Sequence, residues 1–426
     1  MSTTRAPSRD AALTRVVHRV QRVSLGEETA FRDGHLTVRA EEAVELLASP
    51  SLADVRVTWV SPGDSARVVK VLDAVEPRTK GPGGGGIFPG FLSPGRPQGR
   101  GTTHVLSGAA VVSAGFLPRA QEAVLDLSGP AAAMSPLAAT HNLVVEFTPA
   151  AAATWEDVDR DLRAGVLRLA ARLAEAALDA PPDAVEDLPV PDPRDGALPR
   201  VGAVVNIQTQ GTFKDVFVHG RSLSGGLPTL VDPGDLDDGA VVSGQYGHPA
   251  LKNPTYLHQN NPVVEALRRR SGTDLVFAGV VLSPEPVDQE QKQRISAYAA
   301  RLCLLAGFDA AVLTKEGGGN ADADVAMKMD ELEELGLTAV GLFSELAGAD
   351  GTGPSIVVPP TKATAMVSTG NYDERLVLPA VERALGGDRL DLLDVPATEE
   401  LELPTAVIYC ALSPLGWGRL TCREAA

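Results

Sequence analysis

The chain has 426 residues, 44% of them hydrophobic and 22% charged, with a formal net charge of −17. That length and composition exclude a disordered chain and give room for two domains with real cores. The acidic balance, with Arg268-Arg269-Arg270 as the one basic cluster, argues against nucleic acid as a partner and is read here as a means of solubility.

In chain order, the first 14 residues are polar at their start and read as disordered. No long apolar span and no signal-type segment follows, so no membrane partner is expected and the chain reads as cytoplasmic. Residues 15–180 read as a strand-rich N-terminal domain. Val16 to Val23, His35 to Arg39, Val55 to Val60 and His104 to Ala114 are β-branched or alternating runs, with a short helix at Ala40 to Ala48. The glycine-rich stretch from Lys80 to Gly90 is a loop able to approach something closely, either a flexible surface loop or a subunit contact or lid. No Gly-Lys-Ser/Thr follows it, which disfavours a phosphate loop. Residues 154–178 form an amphipathic helix: Val158, Leu162, Val166, Leu169 and Leu173 recur at helical spacing, and Thr154 with Asp157 resembles a capping box. Residues 181–199, rich in Pro and Asp, read as a linker.

Residues 200–426 then alternate strand and helix. Strands are expected at Val201 to Gln208, Leu275 to Leu282, Ala310 to Leu313, Thr338 to Phe343 and Ala365 to Ser368. Helices are expected at Asn261 to Arg270, Asp288 to Ala306, Asp322 to Leu335 and Tyr372 to Leu385. The fold class is therefore α/β: a strand-rich N-terminal domain followed by a doubly wound, mostly parallel α/β domain, with ligands at the C-terminal strand ends. Cys303 and Cys410 lie in apolar runs and read as buried thiols, and Cys422, near the C-terminus, as the most exposed. No cysteine pair has metal or redox spacing. A zinc site from His219, His248 and His258 matches no metal-ligand spacing, so no metal is expected.

Three clusters could carry chemistry. Thr314-Lys-Glu-Gly-Gly-Gly-Asn320 joins a strand end to a helix. Glu316 there is either an acid/base group or a solvated loop charge, Asn320 is a candidate substrate contact, and Asp322 and Asp324 read as capping residues. Ser368-Thr-Gly-Asn371 is a second strand-end loop, with Asn371 either a substrate contact or a turn residue. The third cluster, Tyr246, His248, Lys252, Tyr256, His258, Gln259 and Asn260, is dense in polar and aromatic groups for a chain only 4% aromatic. The three clusters are expected to converge on one pocket, with Glu316 and His258 catalytic and Tyr246, Lys252, Tyr256, Gln259, Asn260, Asn320 and Asn371 binding substrate.

The run Ser243-Gly-Gln-Tyr246, a short spacer, then Lys252-Asn-Pro-Thr-Tyr-Leu-His-Gln-Asn-Asn-Pro262 resembles the self-cleavage segment of the component B proprotein of glycine, sarcosine and betaine reductases. Val75-Glu-Pro-Arg78, Ile87-Phe-Pro-Gly90, Asp126-Leu-Ser-Gly-Pro130, Gln208-Thr-Gln-Gly211, the Glu316 loop and Leu378-Pro379 extend the resemblance over roughly residues 15 to 385. In that family the segment reads Ser-Gly-Asn-Cys, the chain splits before the Cys, and the Cys becomes a pyruvoyl group. Here Gln245-Tyr246 occupies the cleavage position. A tyrosine hydroxyl, on the far side of its ring, cannot attack the preceding carbonyl, so no pyruvoyl group or other cofactor is expected. Ser243 is the nearby side chain that could still cleave, through an ester. The resemblance implies a small polar, amino-acid or amine-like substrate and a partner subunit bearing a reactive Cys or Sec. Such a hetero-oligomer would act by reductive cleavage or by thiol/selenol substitution. The alternative is a non-catalytic structural or regulatory partner of that subunit.

Overall fold

Two four-stranded sheets build the N-terminal half of the computed structural model, which describes residues 13–94, 99–188, 198–209, 214–363 and 365–424. The first sheet runs in the order Ala184–Leu188, Leu13–Arg19, Gly101–Ser107, Arg78–Lys80, and the second Leu52–Val60, His141–Pro149, Ala109–Ala114, Val71–Val75. Gly108, at φ +88°, divides into two strands the run read as one from His104 to Ala114. The Trp155–Glu175 helix supplies Val158, Leu162, Val166, Leu169 and Leu173 to a core shared with Leu106, Val111 and Leu143. Its Thr154 Oγ1 accepts the Asp157 N–H at 3.1 Å, the cap its sequence suggests.

The edges of the sequence divisions shift. Leu13 and Thr14, inside the stretch read as disordered, open the first strand, and residues 1–12 lie outside the described residues. Ala184–Leu188, inside the stretch read as linker, pairs antiparallel with Leu13–Val17, because alternating side chains there complete a sheet edge. Residues 189–197 lie outside the described residues, as does the side chain of Cys422.

The second half is a seven-stranded sheet in the order Thr229–Val231, Val276–Glu285, Arg200–Gln208, Ala310–Thr314, Thr338–Glu345, Ala365–Asn371, Thr421–Glu424. Its five inner strands are parallel and both edge strands antiparallel. The α/β class stands. Asn261 and Asp288 cap the Pro262–Arg270 and Gln289–Leu305 helices through their side-chain oxygens. From Arg200–Gln208 the chain moves first to one side, to Val276–Glu285, and then to the other, to Ala310–Thr314, which makes Arg200–Gln208 the switch strand. Its last residues, Asn206 and Gln208, lie in register with Ser283 and Glu285.

The helix expected at Tyr372 to Leu385 is instead two short strands, Arg375–Leu378 and Arg383–Leu385. Pro379 has no N–H to continue a helix, and Leu376 and Leu378 alternate inward against Leu401–Pro404. Arg383–Leu385 crosses to the N-terminal half and pairs with Ala66–Val68. Arg67 beneath it is fully buried, paired to Asp126 at 2.7 Å and donating to the carbonyls of Pro379, Ala397 and Glu399. One apolar cluster joins the halves, containing Val68, Val112 and Val144 together with Val205, Phe277 and Leu415.

Candidate functional site

The C-terminal ends of Arg200–Gln208, Val276–Glu285 and Ala310–Thr314 deliver Gln208, Glu285 and Glu316 to one place. Glu316 is fully buried. Its Oε2 accepts the Gln208 N–H at 2.8 Å, and its own N–H donates to Glu285 Oε1 at 3.3 Å. Its other oxygen, Oε1, has no hydrogen-bond partner among the described residues and faces His258 Nε2 at 3.6 Å, itself unpartnered among them. Gln208 Oε1, Gln245 Nε2 and Glu285 Oε2 are unpartnered in the same sense. Gly317, at φ +65°, makes the turn after Glu316 in a conformation that favours glycine, with its ideal Cβ position 3.5 Å from Gln208 Oε1 and 3.6 Å from His248 Nδ1. Buried polar atoms are ordinarily paired, so those left over here mark an unmet demand for polar contacts. Burial, then the charges of Asp324 and Glu316, push the Glu285 carboxyl well above its usual range and favour its protonated form.

Beside this group lies the Ser243–Lys252 segment. Val241–Gln245 is an entirely buried strand paired with Lys214–Val218. Lys252, buried, donates to Ser243 Oγ at 2.5 Å and to the carbonyl oxygen of Gln245. Burial lowers the lysine's pKa, opposed by the nearby charges of Asp73 and Glu316. Burial likewise raises that of Asp73, which accepts from Thr255 Oγ1 at 2.6 Å and Thr255 N–H at 3.0 Å. The ring of Tyr246 packs under the ammonium at 5.2 Å, while its hydroxyl donates to Asp159 at 2.7 Å on the Trp155–Glu175 helix. Arg163 holds the other Asp159 oxygen.

Of the residues picked from sequence, the structure brings together Glu316, His258, Lys252, Gln245 and Tyr246. It sends the others elsewhere. Gln259 uses its amide on the backbone of Glu76, and Asn260 bridges Arg78 Nη2 at 2.7 Å and Glu76 Oε2 at 3.0 Å. Tyr256, its hydroxyl pushed up by burial and then by Glu76, belongs with that buried network. Asn320 is exposed on the first turn of its helix. Asn371 accepts from Ala347 and Asp373 N–H and donates to the Gly348 carbonyl, which is turn chemistry. The Ser368 loop thus does not join the pocket through the described hydrogen bonds. Asp322 and Asp324 do not cap their helix. They pair with Lys315 and with Lys292, all four fully buried, and Lys328 stands 3.6 Å from Asp324. Gln208, Glu285, Asp73 and Asp159 were missed, although Gln208 ends the strand beside the one leading to Glu316 and Glu285 ends the strand on its far side, a signal the strand order would have given.

Among the described residues no group of three or more His, Cys, Asp or Glu is placed to hold a metal ion, and no helix is long and apolar enough to cross a membrane. Cys303 and Cys410 are buried and unpaired with each other, both thiols pushed up to about 12 by burial.

Residues 12–423 match the family described as glycine/sarcosine/betaine reductase component B subunits. The chain is 34% identical over 419 residues to the glycine reductase complex component B subunits alpha and beta of Peptoclostridium acidaminophilum, covering 95% of this chain and 97% of that protein. It is 32% identical to the sarcosine reductase complex component B subunit alpha of the same organism, over 86% of this chain and 87% of that one. Its identity to the betaine reductase complex component B subunit alpha is 29%, over 95% and 98%. No solved structure matches the chain.

Proposed function

Because the chain belongs to the family of glycine/sarcosine/betaine reductase component B subunits, we propose that it acts within a reductase complex. It binds a small polar, amino-acid or amine-like substrate and holds it for reductive cleavage, or for thiol or selenol substitution, by a Cys- or Sec-bearing partner subunit. Glu316 is the acid/base or anchoring group and His258 its neighbour on the substrate, with Gln208 and Gln245 completing the polar ring. The observation that carries this reading is the facing pair Glu316 Oε1 and His258 Nε2, 3.6 Å apart, buried and without hydrogen-bond partners among the described residues.

Lys252 lies against this ring through its charge coupling to Glu316, and Tyr246 forms the wall beyond it. Carbonyl chemistry on this chain is not part of the reading, because the side chain at 246 ends in a phenol committed to Asp159. The reading is tested by co-purification with a candidate Cys- or Sec-bearing subunit, using light scattering on a sizing column, and by amine release from glycine, sarcosine and betaine. Turnover is expected only when both chains are present. Full turnover by this chain alone, or two chains that neither associate nor act together, would sink the reading.

A further inference from the structure

A cleft of about 500 Å³ opens beside the turn at His248. Small-molecule sites usually fall in the range of roughly 300–1,000 Å³. Its walls are mostly apolar, with Leu72, Leu117, Pro249 and Val407 among them. Gln121, which also lines it, donates its N–H to the Tyr246 carbonyl at 2.8 Å and accepts the His248 N–H on Oε1 at 2.5 Å. The cleft is therefore built against this turn and is separate from the polar ring around Glu316.

Lys70 brings a charge to these apolar walls from the bend between Ala66–Val69 and Val71–Val75. Its φ is +54°, a left-handed conformation costly for a residue with a Cβ and ordinary for glycine. Strain of that kind clusters at ligand sites. The Lys70 ammonium pairs with Asp391 at 2.9 Å, the lysine side chain 17% exposed and the aspartate 62%. An ion pair with one partner so exposed contributes little, so Asp391 can turn into water and leave the ammonium to another anion. Glu122, the other carboxylate lining the cleft, is already committed to the Asp391 N–H at 3.0 Å and the Leu392 N–H at 2.9 Å.

We propose that this cleft binds a small amphipathic carboxylate, an aryl or branched-alkyl acid, with its carboxylate on Lys70 in place of Asp391 and its apolar body against Leu72, Leu117 and Val407. A ligand polar throughout would leave those walls uncovered, and one apolar throughout would leave the ammonium unused. A cationic ligand would meet the Lys70 charge. The inference stands on the cleft alone and is independent of which substrate the complex uses.

The test is calorimetric titration of the full-length chain with 4-phenylbutyrate and with 4-phenylbutan-1-ol, which has the same skeleton and no charge. Saturable binding of the acid is expected, at least about tenfold tighter than that of the alcohol. Lys70→Met keeps the apolar stem and removes the charge, and is expected to bring the acid down to the alcohol's affinity. Ala120→Trp fills the cleft from its wall and is expected to abolish binding of both. Wild-type protein that binds neither compound, or binds both equally, overturns the proposal without any substitution having to fold. Undiminished acid binding by a Lys70→Met or Ala120→Trp chain that melts cooperatively overturns it as well.

Discussion

Replacing Glu316 by Gln and by Ala separates its chemical part from its structural part. Both substitutions remove the charge facing His258 at 3.6 Å. Only Ala also removes the acceptor for the buried Gln208 N–H, now satisfied at 2.8 Å. A buried donor left unpaired costs about 1–3 kcal/mol, whereas exchanging a carboxylate acceptor for an amide one costs about 1 kcal/mol or less. Chemical denaturation of the chain alone should therefore place Glu316→Gln near wild type and Glu316→Ala about 1–3 kcal/mol below it. Turnover of the reconstituted complex should order differently: if Glu316 moves a proton or anchors the substrate, both variants fall by roughly 10²–10⁴-fold. His258→Ala should fall in the same direction by less. Were Glu316→Gln to assemble normally with the partner and keep the wild-type rate, the pocket is not the active site and the scaffold reading takes its place.

Purified wild-type protein should give a single intact mass and no label from a carbonyl-reactive hydrazide, since Tyr246 stands at the cleavage position; two fragments would refute this. Asn260→Ala should lower stability by about 2 kcal/mol, because it strips an acceptor from buried Arg78; normal stability with impaired substrate binding would return Asn260 to the pocket. Asp235 has its carboxyl raised from 3.8 to about 6 by burial and by Asp232 and Asp238, so the folded state resists its ionisation. The resulting penalty is absent below the unfolded pKa, grows as pH rises between the two values, and is complete above the folded one. Asp235→Asn should accordingly stabilise the protein at pH 7.5, by about 1–2 kcal/mol after solvent screening, and leave it unchanged at pH 3; a shift at pH 3 as large as at pH 7.5 would contradict this.

Much of the second half could be read from local pattern. Strand and helix alternate with recognisable caps at Asn261 and Asp288, and Glu316 stands out at a strand exit. What local pattern could not supply is the pairing of distant residues. Glu285 accepts the Glu316 N–H from 31 positions away, the Gln208 N–H reaches the Glu316 carboxylate across 108, and Tyr246 finds Asp159 across 87. The density of polar residues from Tyr256 to Asn260 marked a real concentration of hydrogen bonding but not its direction. His258 points to the strand ends, whereas Gln259 and Asn260, one and two positions on, point to Glu76 and Arg78. At Tyr372 to Leu385 the alternation of strand and helix favoured a helix, yet Pro379 and the alternation of Leu376 with Leu378 already carried the case against one.

The shared core has a consequence for any version of this chain that is cut after Gln245. The fragment ending there would carry Val68, Val112, Val144 and Val205, and the fragment beyond it Leu257, Phe277, Leu282 and Leu415, all members of one apolar cluster. Arg67 of the first piece would still grip the carbonyls of Pro379, Ala397 and Glu399 in the second, and the Arg200–Gln208 strand would still lie between Val276–Glu285 and Ala310–Thr314. Neither piece can bury its own apolar surface without the other. A nicked molecule would travel through a sizing column as one particle with a whole sheet, and its break would show only once the fold is undone.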